Sequence, residues 1–216
     1  SAMNKVIVYF GNASADFPTM HQVPGSGGAF GAALAVADLN GDGLSDLLIG
    51  APTSPAVVVA VTFTARSPVS FATLAAPATV LEFGSLITSL GDVTGDQRDD
   101  VLIAGTESGV LHAEIYSGTA GLASLGVLDA AHSPNFATGM PTSVAGGADI
   151  TGDGLGDLVV GGIFASSSGG PGAHVLEITG DATRAGVGRS WTLAPPRAGI
   201  AIGAAAAISS ATSSHH

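Results

Sequence analysis

Residues 37–50 read ADLNGDGLSDLLIG. Oxygen-bearing side chains alternate with glycines, and an aliphatic run follows at once. Counted from Asp38, the residues Asp38, Asn40, Asp42 and Asp46 stand at positions 1, 3, 5 and 9. A hard cation such as Ca²⁺ takes about six to eight oxygen ligands, and alternate side chains of a tightly curled loop can face one centre. Leu44 at position 7 would add its backbone carbonyl, and Gly43 at position 6 supplies a left-handed turn that a side chain would resist. The start resembles an EF-hand, but position 12 is Ile49 where a bidentate Glu is needed. The following DLLIG is short, apolar and closed by Gly50-Ala51-Pro52, which predicts a strand. The preceding AFGAALAVA has the alanine content of a helix, but its length and the repeats described next predict a strand there too. The loop therefore joins two β-strands.

The pattern recurs twice. Residues 92–100, DVTGDQRDD, place Asp92, Thr94, Asp96 and Asp100 at the same four positions, with Arg98 at position 7. Residues 149–157, DITGDGLGD, do the same with Asp149, Thr151, Asp153 and Asp157, and with Leu155 at position 7. Apolar runs follow each, VLIAG and LVVGG. A single Asp/Asn/Gly cluster is ordinarily a turn. Three clusters with one spacing predict three structural Ca²⁺ sites, because carboxylates so gathered otherwise repel one another. The sites should differ in strength. The second has Thr94 as a weak hydroxyl ligand, Gln97 where glycine is wanted, and the Arg98 charge beside the metal, partly offset by Asp99. The third keeps Gly154 but has Thr151. The expected affinity order is first, third, second.

The rest of the chain suits an all-β fold. Its 216 residues can bury a sizeable core, mean hydropathy is +0.48, and only 11% of residues are charged. Thirty-two glycines without a collagen period and many short apolar runs imply many tight turns. There is no cysteine, hence no disulfide framework or thiolate metal site. The longest membrane-like stretch, Ala198 to Ile208, is too short and is broken by glycine, so no membrane insertion is expected. A net charge of −11 disfavours nucleic acid and anionic membranes as partners and favours cations. Residues 1–3 read as a cloning scar and 211–216 as a linker and tag remnant.

The loops mark a longer repeat. After the first come AVVVAVTFTA and VSFATLA, after the second GVLHAEIYSG and LASLGVL, after the third GAHVLEITG and RSWTLA. Each unit thus holds four short strands, one before the loop and three after it, as in a propeller blade. The units run about 29–80, 81–137 and 138–197 within one domain spanning 4–210. KVIVYFG at 5–11 and the segment to His21 read as two outer strands of a further blade. AIGAAAAISS at 201–210 reads as an inner strand of that blade, with Ser210 where Asp38 stands and so no fourth loop.

FGAALAVADLNGDGLSDLLIGAP resembles the FG-GAP repeat of the integrin α-subunit β-propeller. Phe30-Gly31 and Gly50-Ala51-Pro52 match its ends. The second unit keeps Phe83-Gly84 with Ala104-Gly105-Thr106, and the third has Met140-Pro141 and Gly161-Gly162-Ile163. The resemblance implies Ca²⁺ bound as structural clips on one propeller face, with ligands on the opposite face or at blade edges. It also implies a ring about twice this length, so the chain is read as a fragment, as an unusual small closed ring, or as half of a ring built from two copies; a fragment that self-associates through exposed strand edges is the favoured expectation.

Catalytic patterns are lacking. GTESG at 105–109 puts Glu107 where a nucleophilic serine is required, and there is neither a P-loop nor an H-E-x-x-H. GDGLGD has dinucleotide-like glycine spacing, but its acids would repel a phosphate. His21, His112, His132 and His174 are scattered and are expected in solvated or hydrogen-bonded surface roles. Glu82, Glu107 and Glu114 are expected to be solvated, and Asp99 and Asp100 to point apart as strand neighbours. Phe30 and Phe83 are assigned to core, and Trp191 to packing between blades. The expected function is non-enzymatic: a Ca²⁺-stabilised adhesion or protein-recognition propeller, extracellular, cell-surface or periplasmic, and of bacterial type. Its protein or glycan ligand carries no legible signature. The alternatives are a glycan-binding propeller, against which the aromatic content of 5% speaks, and an accessory domain of a larger secreted enzyme.

Overall fold

A computed structural model describes residues 4–14, 16–17, 19–25, 28–64, 66–119, 121–128, 140–149, 152, 154–165, 171–178 and 190–193. The expectations for 1–3, 198–210 and 211–216, and for His132, lie outside these residues. Among the described residues all regular structure is strand, and no helix is long and apolar enough to cross a membrane. This is the all-β fold expected. The Ala-rich segment before the first loop is extended, not helical.

The strands are β1 (Lys5–Phe10), β2 (Thr19–Pro24), β3 (Ala33–Ala37), β4 (Asp46–Ala51), β5 (Val57–Thr64), β6 (Ser67–Ala75) and β7 (Leu81–Gly91). They continue as β8 (Asp100–Glu107), β9 (Val110–Tyr116), β10 (Ser124–Leu128), β11 (Met140–Ala148), β12 (Asp157–Ala165), β13 (Pro171–Ile178) and β14 (Ser190–Leu193). They form three four-stranded antiparallel meanders, β3-β4-β5-β6, β7-β8-β9-β10 and β11-β12-β13-β14, plus the hairpin β1-β2. The first strands of successive meanders, β3, β7 and β11, pack side by side.

Burial explains why the strands after the loops are apolar without alternation. Every residue of β4 is buried. Leu47 and Ile49 pack with Val6 and Val23 of the hairpin, while Leu48 packs with Val101 and Ile103 of the next sheet. Leu102 and Ala104 face the opposite way, toward Leu158 of the third sheet. A strand sandwiched between two sheets needs apolar side chains in both phases of the pleat. Phe30 and Phe83 are buried, and Phe83 meets Tyr116 edge to face with ring centroids 6.1 Å apart. The side chain of Trp191, in β14, lies outside the described residues.

The FG and GAP elements close on each other. Gly31 N–H donates to the Gly50 carbonyl at 2.9 Å. Between the first two sheets Gly84, at φ +83°, lies over Gly50, and a Cβ on Gly50 would overlap the Gly84 carbonyl oxygen. These glycines admit direct backbone contact between sheets.

One face of the first sheet is only partly covered. Leu34 pairs with Ile49 and Val36 with Leu47, so all four share the face toward β1-β2. Leu47 and Ile49 are covered, whereas Leu34 is 53% and Val36 62% exposed.

Candidate metal centre

Each loop is wound around its first aspartate. Asp38 Oδ1 accepts from the amides of Gly41 at 2.8 Å and Asp42 at 3.1 Å, and Oδ2 accepts from Gly43 at 2.7 Å. Asp92 repeats this with Gly95 at 2.6 Å, Asp96 at 3.1 Å and Gln97 at 2.8 Å. Asp149 does so with Gly152 at 2.6 Å and Gly154 at 2.9 Å. The winding requires left-handed backbone at two positions. Position 4 is Gly41, Gly95 or Gly152, at φ +73°, +80° and +79°. Position 6 is Gly43 or Gly154, at +81° and +87°, and Gln97 at +68°. Gln97 is thus held where only glycine is at ease, as its place in the repeat predicts. Position 4 was not singled out from the sequence, although its glycine is present in all three loops.

The middle oxygens brace the same turn. Asn40 Oδ1 accepts from Asp42 N–H at 2.9 Å, Asp42 Oδ1 from Leu44 N–H at 2.8 Å, and Asp96 Oδ1 from Arg98 N–H at 3.0 Å. Thr94 OH lies 3.5 Å from Asp92 Oδ1. Leu155 follows Gly154 in the third loop, and Thr151 and Asp153 lie outside the described residues.

The ninth-position aspartates, Asp46, Asp100 and Asp157, are fully buried at the starts of β4, β8 and β12. Asp100 accepts from Val93 N–H at 3.0 Å and Gly118 N–H at 3.2 Å. Burial lifts its pKa to about 6 against those two bonds, and Asp96 and Asp92 add to the rise. Asp46 Oδ1 accepts from Phe63 N–H at 3.2 Å, and the Leu39 amide also favours the ionised carboxylate, but buried Oδ2 has no partner in good hydrogen-bond geometry. Burial raises the Asp46 pKa, and the charges of Asp42 and Asp38 raise it further.

Neighbouring loops are joined through position 8, a role that the spacing within one loop does not reveal. Asp99 N–H donates to the Asp38 carbonyl at 2.9 Å, and Gly156 N–H donates to the Asp92 carbonyl at 3.1 Å. Asp99 adds its side chain, Oδ2 accepting from Asp38 N–H at 2.8 Å. It makes no direct ion pair with the adjacent Arg98, since its Oδ2 is turned to the first loop. Asp99 and Asp100 therefore point to different partners, as their adjacency in the chain predicts.

Does this donor set fit a cation? Among the described residues no three His, Asp or Glu groups are gathered tightly enough to hold a metal ion. The carboxylates at position 1, and those at position 5 of the first two loops, are turned onto their own loop amides. The fit rests on the first loop: an unpartnered buried oxygen of Asp46, inside the field of Asp38 and Asp42, amid a donor set of carboxylate, amide and carbonyl oxygens. Such hard oxygen donors suit Ca²⁺.

Two expectations outside the loops need correction. Glu114 is not solvated: it is 8% exposed and accepts hydrogen bonds from Tyr116 OH at 2.7 Å and from Ser124 OH, with His112 Nε2 at 3.3 Å. His112 is 9% exposed and also meets Glu107 at 3.4 Å. Both project with Tyr116 from the face of β9 that looks at the first sheet, so burial is imposed by the pleat. Burial opposes ionisation of Glu114, but three hydrogen-bond partners together hold its pKa below the ordinary value. Glu82 is exposed as expected, and GTESG is a hairpin turn with Ser108 and Gly109 at φ +52° and +79°.

Residues 30–63 match the FG-GAP repeat family. The chain is 38% identical over 98 residues to integrin alpha-4 of Xenopus laevis, covering 42% of this chain and 10% of that protein. It is 34% identical over 152 residues to integrin alpha-IIb of Homo sapiens, covering 61% and 14%. The chain thus spans about a tenth to a seventh of the length of these curated relatives. It carries an integrin-like FG-GAP repeat, and its all-β meanders are those of an FG-GAP β-propeller. Neither relative bears on the expected bacterial source.

Proposed function

We propose that the chain is a non-enzymatic, Ca²⁺-stabilised propeller module for adhesion or protein recognition, working outside the cytoplasm. One observation carries the calcium reading: the buried, unpartnered Asp46 Oδ2 at the ninth position of a loop that already holds Asp38, Asn40 and Asp42. Those four side chains and the Leu44 carbonyl would hold the first cation. Asp92, Thr94, Asp96, Asp100 and the Arg98 carbonyl would hold a second, and Asp149, Thr151, Asp153, Asp157 and the Leu155 carbonyl a third. The bound ion supplies fixed positive charge and no chemistry. The carboxylates lock each β-hairpin, and position 8 passes that rigidity to the neighbouring loop. Millimolar Ca²⁺ outside cells fills even weak loops of this kind, which supports an extracellular or periplasmic setting.

The integrin relatives support recognition of another protein over catalysis. The net charge of −11 supports a partner other than nucleic acid or an anionic membrane. Self-association is part of the proposal. Strand β1 pairs only with β2 among the described residues, and Leu34 and Val36 lie uncovered on the adjoining face. A second copy adding strands at β1 would cover both.

Sedimentation velocity and thermal melting of one set of samples, with Ca²⁺ and with chelator, test the reading. The expected result is a higher melting temperature and a dimer in Ca²⁺, with the response weakened by Asp46→Asn. Identical melting in both conditions would remove calcium from the account, and a monomer throughout would remove self-association.

A further inference from the structure

Between the first two sheets, at their loop end, lies a cavity of about 300 Å³. Its apolar wall is Leu39, Ala60 and Leu122, all buried. Thr62 and Thr119 also line it, and neither hydroxyl has a hydrogen-bond partner among the described residues. Asn40 of the first loop and Arg98, one of only six Lys and Arg residues in the chain, complete the polar lining. The stem of Arg98 passes between two glycines. A Cβ on Gly41 would lie 3.4 Å from Arg98 Cγ and 3.9 Å from Nε, and one on Gly118 would lie 3.1 Å from Arg98 Cβ. Yet the half-buried Arg98 has no ion-pair partner: among the described residues both ion pairs belong to His112. In a chain with 17 acidic residues that is a cation held between two acidic loops without a direct ion pair.

We propose that this cavity binds a carboxylate carried on a compact aliphatic body. The planar guanidinium of Arg98 matches a carboxylate's two oxygens, Thr62 and Thr119 offer hydroxyl donors, and Leu39, Ala60 and Leu122 pack the aliphatic part. A dianionic phosphate is disfavoured, because the carboxylates of the two adjoining loops repel the second charge. The volume is at the small end for a ligand pocket and takes one side chain or a short branched acid. The ligand is a free small acid, or an aspartate, a glutamate or a C-terminus of a peptide. The proposal concerns the cavity and not the loops' cation, so it goes beyond the function proposed above.

Heteronuclear NMR of the ¹⁵N-labelled full chain tests it, in Ca²⁺ and in chelator. The probes are 4-methylpentanoate, its amide 4-methylpentanamide, and a capped Leu-Glu-Leu peptide. The acid should give saturable shifts at the Thr62, Thr119 and Leu122 amides in at least one cation condition, and the amide should bind about tenfold more weakly, as expected for loss of a charge-assisted pair. Arg98→Ala, which keeps the backbone carbonyl of the second loop, should remove that preference. Thr62→Val, on a different strand, should weaken the acid several-fold if Arg98→Ala fails to fold. Tighter binding of the peptide assigns the carboxylate to a protein partner, and tighter binding of the acid to a small metabolite. No saturable shift in either condition, equal response to acid and amide, or an acid preference that survives Arg98→Ala would each overturn the proposal.

Discussion

Asp38 and Asp99 exchange two hydrogen bonds across the gap between the first and second sheets. Asp38 N–H donates to Asp99 Oδ2 at 2.8 Å, and Asp99 N–H donates to the Asp38 carbonyl at 2.9 Å. The first loop therefore cannot shift without moving the second. Asp38 also anchors the three amides that curl its own loop, so one residue serves both the loop and the join.

Asp99→Ala should destabilise the chain by about 1–2 kcal/mol, because a part-buried amide loses a charged acceptor. Asp99→Asn keeps an acceptor oxygen and should cost less than half as much. Urea unfolding separates the two. Isothermal titration should also show weaker cation binding at the first loop in the alanine variant, although residue 99 is no ligand of that loop. Equal stability of all three proteins would mean that the bond does not tie the loops together.

Gln97 offers a gain in stability. Its φ of +68° carries a side chain where the first and third loops have glycine. Gln97→Gly should stabilise by on the order of 1 kcal/mol and tighten cation binding at the second loop. Calorimetric titration should also rank the loops first, third, second. An Asp96→Ala variant that lost the tightest site would contradict the ranking.

Burial of Asp46 and Asp100 sets a pH trend. Asp100 has a folded pKa of about 6 against an ordinary 3.8, and that of Asp46 is also raised. The folded state then takes up these protons more readily than the unfolded chain. Their stabilising contribution is complete below pH 3.8 and is lost as pH rises through about 6. Metal-free protein should therefore melt several degrees lower at pH 7 than at pH 5, and Asp100→Asn should flatten that slope. Saturating Ca²⁺ should reverse the trend, since protons and cation compete for the same oxygens. A slope that Asp100→Asn leaves intact would assign the effect to other groups.

Gly50→Ala and Gly43→Ala separate two reasons for glycine. A Cβ at Gly50 would overlap the backbone of Gly84, which cannot yield without parting the sheets. The expected loss exceeds about 3 kcal/mol, enough to abolish cooperative melting. At Gly43 a Cβ meets nothing within 4 Å, and only the left-handed backbone is strained. About 1 kcal/mol is expected there, read by the same melts.

Glu114→Ala should cost about 2–4 kcal/mol, since Tyr116, Ser124 and His112 would be left buried around an absent acceptor. Glu114→Gln should recover part of that loss. Circular dichroism melts of the two variants check the order, and equal melting of both with the parent would show the network to be idle.

The sequence by itself determined the repeating elements. A spacing of 1, 3, 5 and 9 written three times, each followed by an unbroken aliphatic run, is enough to identify a strand–loop–strand unit and its oxygen-rich turn. It was enough because these features are local: a glycine needs a left-handed backbone wherever the chain goes next, and a strand apolar in both phases must be covered on both faces. Tertiary structure decided what depends on a neighbouring sheet. Asp99 looked like a spare charge beside Arg98 until the second sheet brought it against Asp38. Glu114 looked solvated until the pleat turned it toward the first sheet. Gly84 gained its reason only from Gly50, thirty-odd residues away. Arg98, read as a blemish in a metal loop, lies instead between two glycines beside an apolar cavity. Such contacts join residues far apart in the chain, and no spacing within one repeat can encode which sheet will stand opposite.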